Sequence, residues 1–273
     1  KENVIRCGGE AVLVEDDWGT PVSPDKAEAA LKAHPDIKIL AFVHAETSTG
    51  VCSDAAVLAK LAQAHGSLTI MDCVTSLAGV PVLIDEWGID AAYSGSQKCL
   101  SCPPGLSPVT FSARAVETIR KRNTPIQSWF LDLSLVMDYW SGDGARSYHH
   151  TAPINAMYAL HESLLLVRDE GLENAWARHQ THHEVLKAGL EKLGLTLLVD
   201  EAHRLPQMNS VVIPEALKAR EGDIRKTLLN EHNLEIGAGL GALAGKIWRI
   251  GLMGFGASQD NVRTCLSALE DVL

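Results

Sequence analysis

The chain has 273 residues, of which 46% are hydrophobic and 21% are charged, a composition that excludes a disordered or fibrous protein. Its formal net charge is -10, with acidic and basic residues interspersed, so the clustered positive charge that a nucleic-acid partner requires is missing. No apolar stretch approaches the length that crosses a bilayer, so we expect no membrane partner either.

Strand and helix patterns alternate through the first half of the chain. Residues 2–10 predict the end of a helix and a glycine break. Two capped helices follow, one from Ser23 with proline at its first position and one that ends at Gly66. The apolar run at 37–43 is typical of a parallel strand buried on both faces. The predicted strands are residues 11–15, 37–43, 68–72 and 89–95.

This order of elements predicts two unequal parts. Strands separated by helices of this length imply an α/β domain over residues 1–160, with a mostly parallel sheet flanked by helices. A helical stretch at 110–123, an irregular region and a long helical pair at 153–193 come next. The remaining strands and helices predict a smaller C-terminal α+β domain over residues 161–273.

The cysteines are few and widely spaced, which indicates reduced thiols in a cytosol-like compartment. One pair, Cys99 and Cys102, forms a C-x-x-C motif, for which metal or redox work is one hypothesis. A second ligand pair is missing, and Pro103 and Pro104 prevent a helix from opening there. Two small side chains near a packed turn are therefore the favoured interpretation, and we expect no metal site.

Polar residues follow three of the predicted strands where each strand ends. These residues are Thr47, Asp72 and Lys98. Because the carboxyl ends of parallel strands meet at one edge of a sheet, we expect the three to converge on one crevice. Two hypotheses remain open from the residues alone. Asp72 and Lys98 form a structural ion pair, or the amine binds pyridoxal phosphate (PLP) while the carboxylate holds its pyridine nitrogen protonated.

Arg249 lies in a predicted strand between apolar neighbours, so its guanidinium requires a partner. A substrate carboxylate matches its bidentate geometry, and an internal salt bridge to a protein carboxylate is the alternative. Nearby, the glycine-rich stretch 237–245 is followed by a lysine and a strand instead of the helix that a dinucleotide site requires. We interpret this stretch as a flexible loop that borders the substrate entrance.

Six stretches together carry a resemblance to a known family. They are "HAETSTG", "MDCVTSLAGVP", "YSGSQKCLSCPPG", "YHHTAP", "GLENAWARH" and "GKIWRIGLMG". With these motifs the chain resembles the class V, fold-type I PLP-dependent aminotransferases, and more closely the alanine-glyoxylate and serine-pyruvate group. The resemblance implies transfer of an amino group from alanine or serine to glyoxylate or pyruvate.

The resemblance also implies a role for each residue around the cofactor. Lys98 is expected to form the Schiff base with PLP and then to move the proton at the substrate Cα. Asp72 is expected to pair with the pyridinium nitrogen and Val74 to pack on one ring face. Thr47 is expected to hydrogen-bond near the phenolic oxygen of the ring, and Gln97 to help hold the phosphate.

Further implied contacts involve a second subunit and the substrate. Tyr148 and Thr151 resemble phosphate contacts that the family supplies from the neighbouring subunit, which implies a homodimer with a shared active site. Arg249 takes the place of the arginine that binds the substrate carboxylate. His149 and His150 receive no ligand role, because adjacent side chains in a loop diverge and no carboxylate or cysteine cluster accompanies them.

Part of the family pattern falls before residue 1. In relatives that part holds a loop that cups the PLP phosphate and an aromatic residue that stacks on the ring. Without them we expect weaker PLP binding and doubtful activity for this chain alone. Two alternatives stay open: (S)-ureidoglycine-glyoxylate transamination, whose members share "DYWS" (138–141) and "GKIWRIG", and a non-catalytic remnant or interaction domain. The expected location is cytoplasmic, with targeting to peroxisomes or other organelles left open.

Overall fold

The computed structural model describes residues 1–140 and 147–273. Its strands are β1 (Ile39–Val43), β2 (Ala45–Glu46), β3 (Val51–Cys52), β4 (Leu68–Asp72), β5 (Ala91–Tyr93), β6 (Val109–Phe111), β7 (Thr196–Leu197), β8 (Met208–Val212), β9 (Gly237–Ala238) and β10 (Ile247–Gly251). Its α-helices are α1 (Glu2–Arg6), α2 (Pro24–Ala33), α3 (Ala55–His65), α4 (Ile84–Trp87), α5 (Ala113–Arg120), α6 (Leu133–Trp140), α7 (Ile154–Glu170), α8 (Leu172–Lys192), α9 (Glu221–His232) and α10 (Gln259–Val272).

The first sheet has the strand order β1-β4-β5-β6. The pairs β1 with β4 and β4 with β5 are parallel, and β6 runs antiparallel to β5 at the edge. The register places Val43 beside Asp72 and Asp72 beside Tyr93. The carboxyl ends of three parallel strands therefore lie side by side, as predicted.

Two capped helices cover one face of this sheet. The Ser23 side chain accepts a hydrogen bond from the Lys26 amide at the start of α2, and Gly66 ends α3 in the left-handed conformation that favours glycine. From α3, Leu58 packs into a core that includes Met71 of β4, and both side chains are fully buried. This packing fixes the position of the strand that ends at Asp72.

The other face of the sheet differs from the prediction. On this face Ile39 is 47% exposed and Val109 is 42% exposed. The expectation that residues 37–43 are buried on both faces is therefore wrong. The strand predicted at 11–15 is also absent, since these residues find no strand to pair with in the described chain. In addition, the helix predicted from 110 begins only at Ala113, after β6.

The second sheet is antiparallel, with the order β7-β8-β10-β9. Helices α8, α9 and α10 pack against it around the fully buried Trp248. The expected α+β arrangement of the C-terminal part is present. The division at residue 160 stays a prediction, and α7 runs across it without interruption. None of the described helices combines the length and the apolar character that a membrane span requires.

Candidate active site

Asp72 lies at the last position of β4, and both oxygens of its carboxylate accept a hydrogen bond. The amide of Val74 donates to Oδ1 at 2.9 Å, and the phenol of Tyr93 donates to Oδ2 at 2.7 Å. Asp72 is half-buried at the end of its strand. Its carboxylate is therefore oriented by two donors while one side of the residue remains accessible.

Lys98 lies in the loop that follows β5, and this loop packs against the segment after Asp72. Ser94 donates to the Cys73 carbonyl at 3.2 Å, and the Cys99 thiol contacts the Thr75 carbonyl at 3.5 Å. Lys98 is half-buried, and in residues 1–140 and 147–273 its amine makes no hydrogen bond or ion pair. A direct ion pair with Asp72, the first hypothesis for these two residues, is not formed in the described chain.

Arg249 lies at the centre of β10, and within the described residues its side chain donates hydrogen bonds to backbone oxygens. Its Nε donates to the Ala238 carbonyl at 2.8 Å, and its Nη1 donates to the Thr47 carbonyl at 3.1 Å. The ion pairs of the described residues do not include Arg249, so the alternative of an internal salt bridge finds no support there. The hydrogen bond from Arg249 to the Thr47 carbonyl joins the β2–β3 turn to the second sheet. The guanidinium keeps donors that can bind an anion.

The remaining predicted residues with exposed side chains are Gln97, Tyr148 and Thr151. Gln97 directly precedes Lys98 in the chain. Tyr148 is 67% exposed and hydrogen-bonds Thr151 at 2.5 Å, and in the described chain neither of them contacts Asp72 or Lys98. His149 stacks on Trp129 with ring centroids 4.1 Å apart. The motif at 138–141 ends at Ser141, which lies outside the described residues.

Two groups near the site were not singled out from the sequence. Tyr93 is the phenol partner of Asp72, and its place beside Asp72 depends on the strand register. Arg178 and His179 of α8 hold the turn after β10. Arg178 donates to the Gly254 carbonyl at 2.7 Å, and the Gly254 amide donates to His179 Nε2 at 2.9 Å. Contacts from distant helices of this kind leave no local sequence pattern.

Burial controls the titration of the buried histidine and thiols around the site. It lowers the pKa of His44 to about 4, and Asp54 offsets part of this shift. It raises the pKa of Cys52, whose sulfur lies 3.5 Å from His44 Nε2, to about 11. The pKa of Cys73 also rises to about 11, through burial first and then the charge of Asp72. At neutral pH this imidazole and these thiols are therefore uncharged.

Comparison with known proteins extends over almost the whole chain. The family model for class V aminotransferases matches residues 6–259. The chain is 37% identical to the (S)-ureidoglycine-glyoxylate transaminase of Bacillus subtilis and 38% identical to the alanine-glyoxylate aminotransferase of Oryctolagus cuniculus. Each match covers 98% of this chain and 68% of the relative.

Solved structures show the same relationship. The alanine-glyoxylate aminotransferase from Nostoc sp. superposes with a TM-score of 0.94 at 46% identity, covering 99% of this chain and 71% of that chain. The ureidoglycine-glyoxylate aminotransferase from Bacillus subtilis has a TM-score of 0.94 at 39% identity, covering 100% of this chain and 69% of that chain. The α/β fold and the resemblance drawn from the sequence motifs are thus confirmed. The chain belongs to the class V aminotransferase family of enzymes.

Proposed function

We propose that the protein binds PLP and transfers an amino group from alanine or serine to glyoxylate or pyruvate. The observation that carries this proposal is the group at the carboxyl edge of the first sheet. Asp72 ends β4, and the loop that carries Lys98, whose amine has no partner among the described residues, packs directly on the segment that follows Asp72. Relatives with alanine-glyoxylate activity in their names support the choice of substrates.

The residues present fit PLP. Each oxygen of the Asp72 carboxylate accepts one hydrogen bond and so has capacity for the pyridinium nitrogen. Lys98 offers an amine without a competing carboxylate in the described chain. Val74 follows two positions after Asp72 and is proposed to contact the ring. Thr47 and Gln97 are proposed to bind the phenolic oxygen and the phosphate. Bound PLP supplies the sink for the electron pair released at the substrate Cα.

The remaining chemistry belongs to Lys98 and Arg249. Arg249, fixed by two carbonyls, binds the α-carboxylate of the donor or acceptor with its free guanidinium donors. This contact orients the substrate and offsets the repulsion expected from a protein of net charge -10. Lys98 removes the proton from Cα of the donor and returns a proton to the carbon that receives the amino group.

The proposed assembly is a homodimer with a shared active site. Trp129 and Phe130, which are 60% and 56% exposed, contact His149 and His150, and with Tyr139 and Tyr148 these rings form an aromatic surface. Trp140, next to Tyr139 in the chain, is 64% exposed. Exposed apolar patches of this kind mark protein–protein contacts. Tyr148 and Thr151, already hydrogen-bonded to each other, are proposed to reach the cofactor phosphate of the partner subunit.

The proposed location is cytoplasmic. All six cysteines are free thiols, which supports a reducing compartment.

The experiment that tests the function combines cofactor binding with a donor panel. Addition of PLP should produce a visible absorption band that Lys98→Ala abolishes, and alanine or serine with glyoxylate should give glycine. If glyoxylate is converted to glycine only when (S)-ureidoglycine is the amino donor, the result would instead support the second activity, which the Bacillus subtilis relative carries in its name. A protein that stays colourless with PLP and transfers no amino group would be a remnant of the family, and the proposal would fail.

A further inference from the structure

Tyr93 directs its phenol to the functional carboxylate and not to solvent. The residue is 40% exposed on the open face of the first sheet, yet its hydroxyl donates to Asp72 Oδ2 at 2.7 Å. The strand pairing brings the two side chains together, because Asp72 of β4 lies beside Tyr93 of β5. Next to this pair, the Cys73 amide donates a hydrogen bond to the Tyr93 carbonyl at 2.9 Å. The contact therefore follows from the strand register.

The two donors to Asp72 come from different elements and bind different oxygens. Val74 fixes Oδ1 through the backbone of the segment after β4, and Tyr93 fixes Oδ2 from the neighbouring strand. With a donor on each oxygen, rotation of the carboxylate breaks at least one hydrogen bond. Burial and the Asp72 carboxylate both raise the pKa of the Tyr93 phenol, so the phenol keeps its proton and remains a donor at neutral pH.

We propose that Tyr93 is a positioning residue that acts through Asp72 on the ring nitrogen of the bound cofactor. The inference rests on the proposed function, because it requires PLP at Asp72. Tyr93 itself does not contact the reacting atoms. Its phenol restricts rotation of the Asp72 carboxylate, so that the carboxylate would need less reorientation to accept a hydrogen bond from the ring nitrogen of the cofactor.

The test is a titration of the apoprotein with PLP, followed by quenching of tryptophan fluorescence. Tyr93→Phe removes only the hydroxyl, and we expect its Kd for PLP to rise about fivefold to tenfold, which lies within the net contribution of a typical intramolecular hydrogen bond. Tyr158→Phe, on the exposed side of α7 at 73% exposure, is the matched control and should leave the Kd unchanged. An unchanged Kd for Tyr93→Phe overturns the inference.

A second ligand separates positioning from a general structural effect. In 1-deaza-pyridoxal phosphate a carbon replaces the ring nitrogen, so the wild-type protein and Tyr93→Phe should bind it with equal Kd. Equal weakening toward both ligands would mean that Tyr93 only maintains the fold and would overturn the inference. In an Asp72→Asn background, Tyr93→Phe should add no further loss in PLP binding, and a fully additive loss would also contradict it.

These outcomes distinguish the inference from the function on which it rests. A wild-type protein that binds no PLP contradicts the proposed function, and the inference falls with it. A wild-type protein that binds PLP, together with a Tyr93→Phe variant of equal affinity, contradicts the role of Tyr93 alone. Circular dichroism of each variant confirms that the compared proteins are folded.

Discussion

The Arg249 guanidinium is oriented within the protein and keeps donors that can bind a ligand. It is oriented by the carbonyls of Ala238 and Thr47, and within the described chain no carboxylate neutralises it. A cation fixed by neutral acceptors keeps its charge available, because each carbonyl uses a single N–H. The geometry favours a planar, bidentate partner such as an α-carboxylate.

Arg249→Lys tests this interpretation, because lysine keeps the charge and loses the planar pair of donors. We expect the KM for the amino donor to rise about tenfold or more, with a smaller change in kcat, as expected when a bidentate hydrogen bond to substrate is lost. Steady-state kinetics with alanine and glyoxylate measures KM and kcat. Arg263→Lys on the surface of α10 is the matched control, since the Arg263 side chain is 70% exposed and its ion pair in the described chain is with Asp260. A KM equal to that of the wild type for Arg249→Lys would contradict the assignment.

At the scale of elements, the turn after β10 ties the second sheet to the Lys98 loop. Gly254 has a φ of 54°, and a Cβ at this position would overlap Ser101 Oγ and approach the Cys99 carbonyl at 2.7 Å. The Phe255 amide donates to Ser101 Oγ at 2.7 Å in the same contact. Arg178 and His179 clamp the turn from α8. The loop that bears Lys98 is thus held by elements of both sheets.

Gly254→Ala should therefore lower the free energy of unfolding by about 2 kcal/mol or more, since it adds backbone strain and a steric clash at once. It should also weaken the visible band of the PLP-bound protein, because the Lys98 loop has to shift. Gly222→Ala is the matched control, since Gly222 lies in α9 with open space around its Cα, and it should leave stability unchanged or slightly higher. Urea denaturation measures the free energy of unfolding of both variants. Equal stability of the two variants would refute the argument.

Asp90 links β4, β5 and α5 through one buried carboxylate. It accepts hydrogen bonds from the Thr69 amide at 2.9 Å, from Ser112 Oγ at 2.9 Å and from Arg114 Nε at 2.9 Å. Burial raises the pKa of Asp90, but the hydrogen bonds from Arg114, Thr69 and Ser112 outweigh it and hold the pKa below its ordinary value of 3.8. A folded-state pKa below the unfolded value means that this stabilisation is present above pH 3.8 and is lost as the pH falls through the folded pKa.

Arg114→Met should lower the free energy of unfolding at pH 7 by about 2 kcal/mol, because it leaves a buried carboxylate without its cation. The figure lies below the range for fully buried pairs, since the Arg114 side chain is 43% exposed and partly screened by water. The variant should also lose less stability than the wild type on acidification. Lys121→Met removes the exposed pair with Glu117 and serves as the control. Equal urea midpoints for the two variants would show that the Asp90 pair does not contribute.

Several elements were predictable because local chemistry determines them. The serine cap of α2 and the glycine end of α3 appear as expected, and strand β4 has the predicted bounds of 68–72. Convergence of the strand ends followed from parallel topology. Which strands pair, and in which register, was not predictable in the same way. Residues 11–15 have strand-like composition but find no partner strand in the described chain. Tyr93 reaches Asp72 because of the register between β4 and β5. Such contacts depend on residues distant in sequence.

At the scale of the whole molecule, apolar side chains in the described residues are exposed at several places, and two of these bear on the first sheet and on the proposed dimer contact. The first is the sheet face with Ile39 and Val109, whose apolar residues explain why the sequence predicted burial on both faces. The second is the aromatic surface, where His149 stacks on Trp129 and Tyr139 lies edge-on to Tyr148 with centroids 6.1 Å apart. Tyr148, although 67% exposed, therefore has a ring contact with Tyr139 and a hydrogen bond with Thr151.

A shared active site predicts that two inactive variants repair each other. Lys98→Ala removes the amine, and Tyr148→Ala removes the proposed phosphate contact to the partner, so each homodimer should have little or no activity. In a mixed dimer, the subunit with Lys98→Ala still supplies Tyr148 to the site that contains an intact Lys98. After unfolding and refolding at equal concentrations, half of the dimers are mixed and each has one complete site, so about a quarter of the wild-type activity should return. If each site is built from a single chain, the mixture stays as inactive as its components, and the exposed hydroxyl pair of Tyr148 and Thr151 then has no role across the dimer.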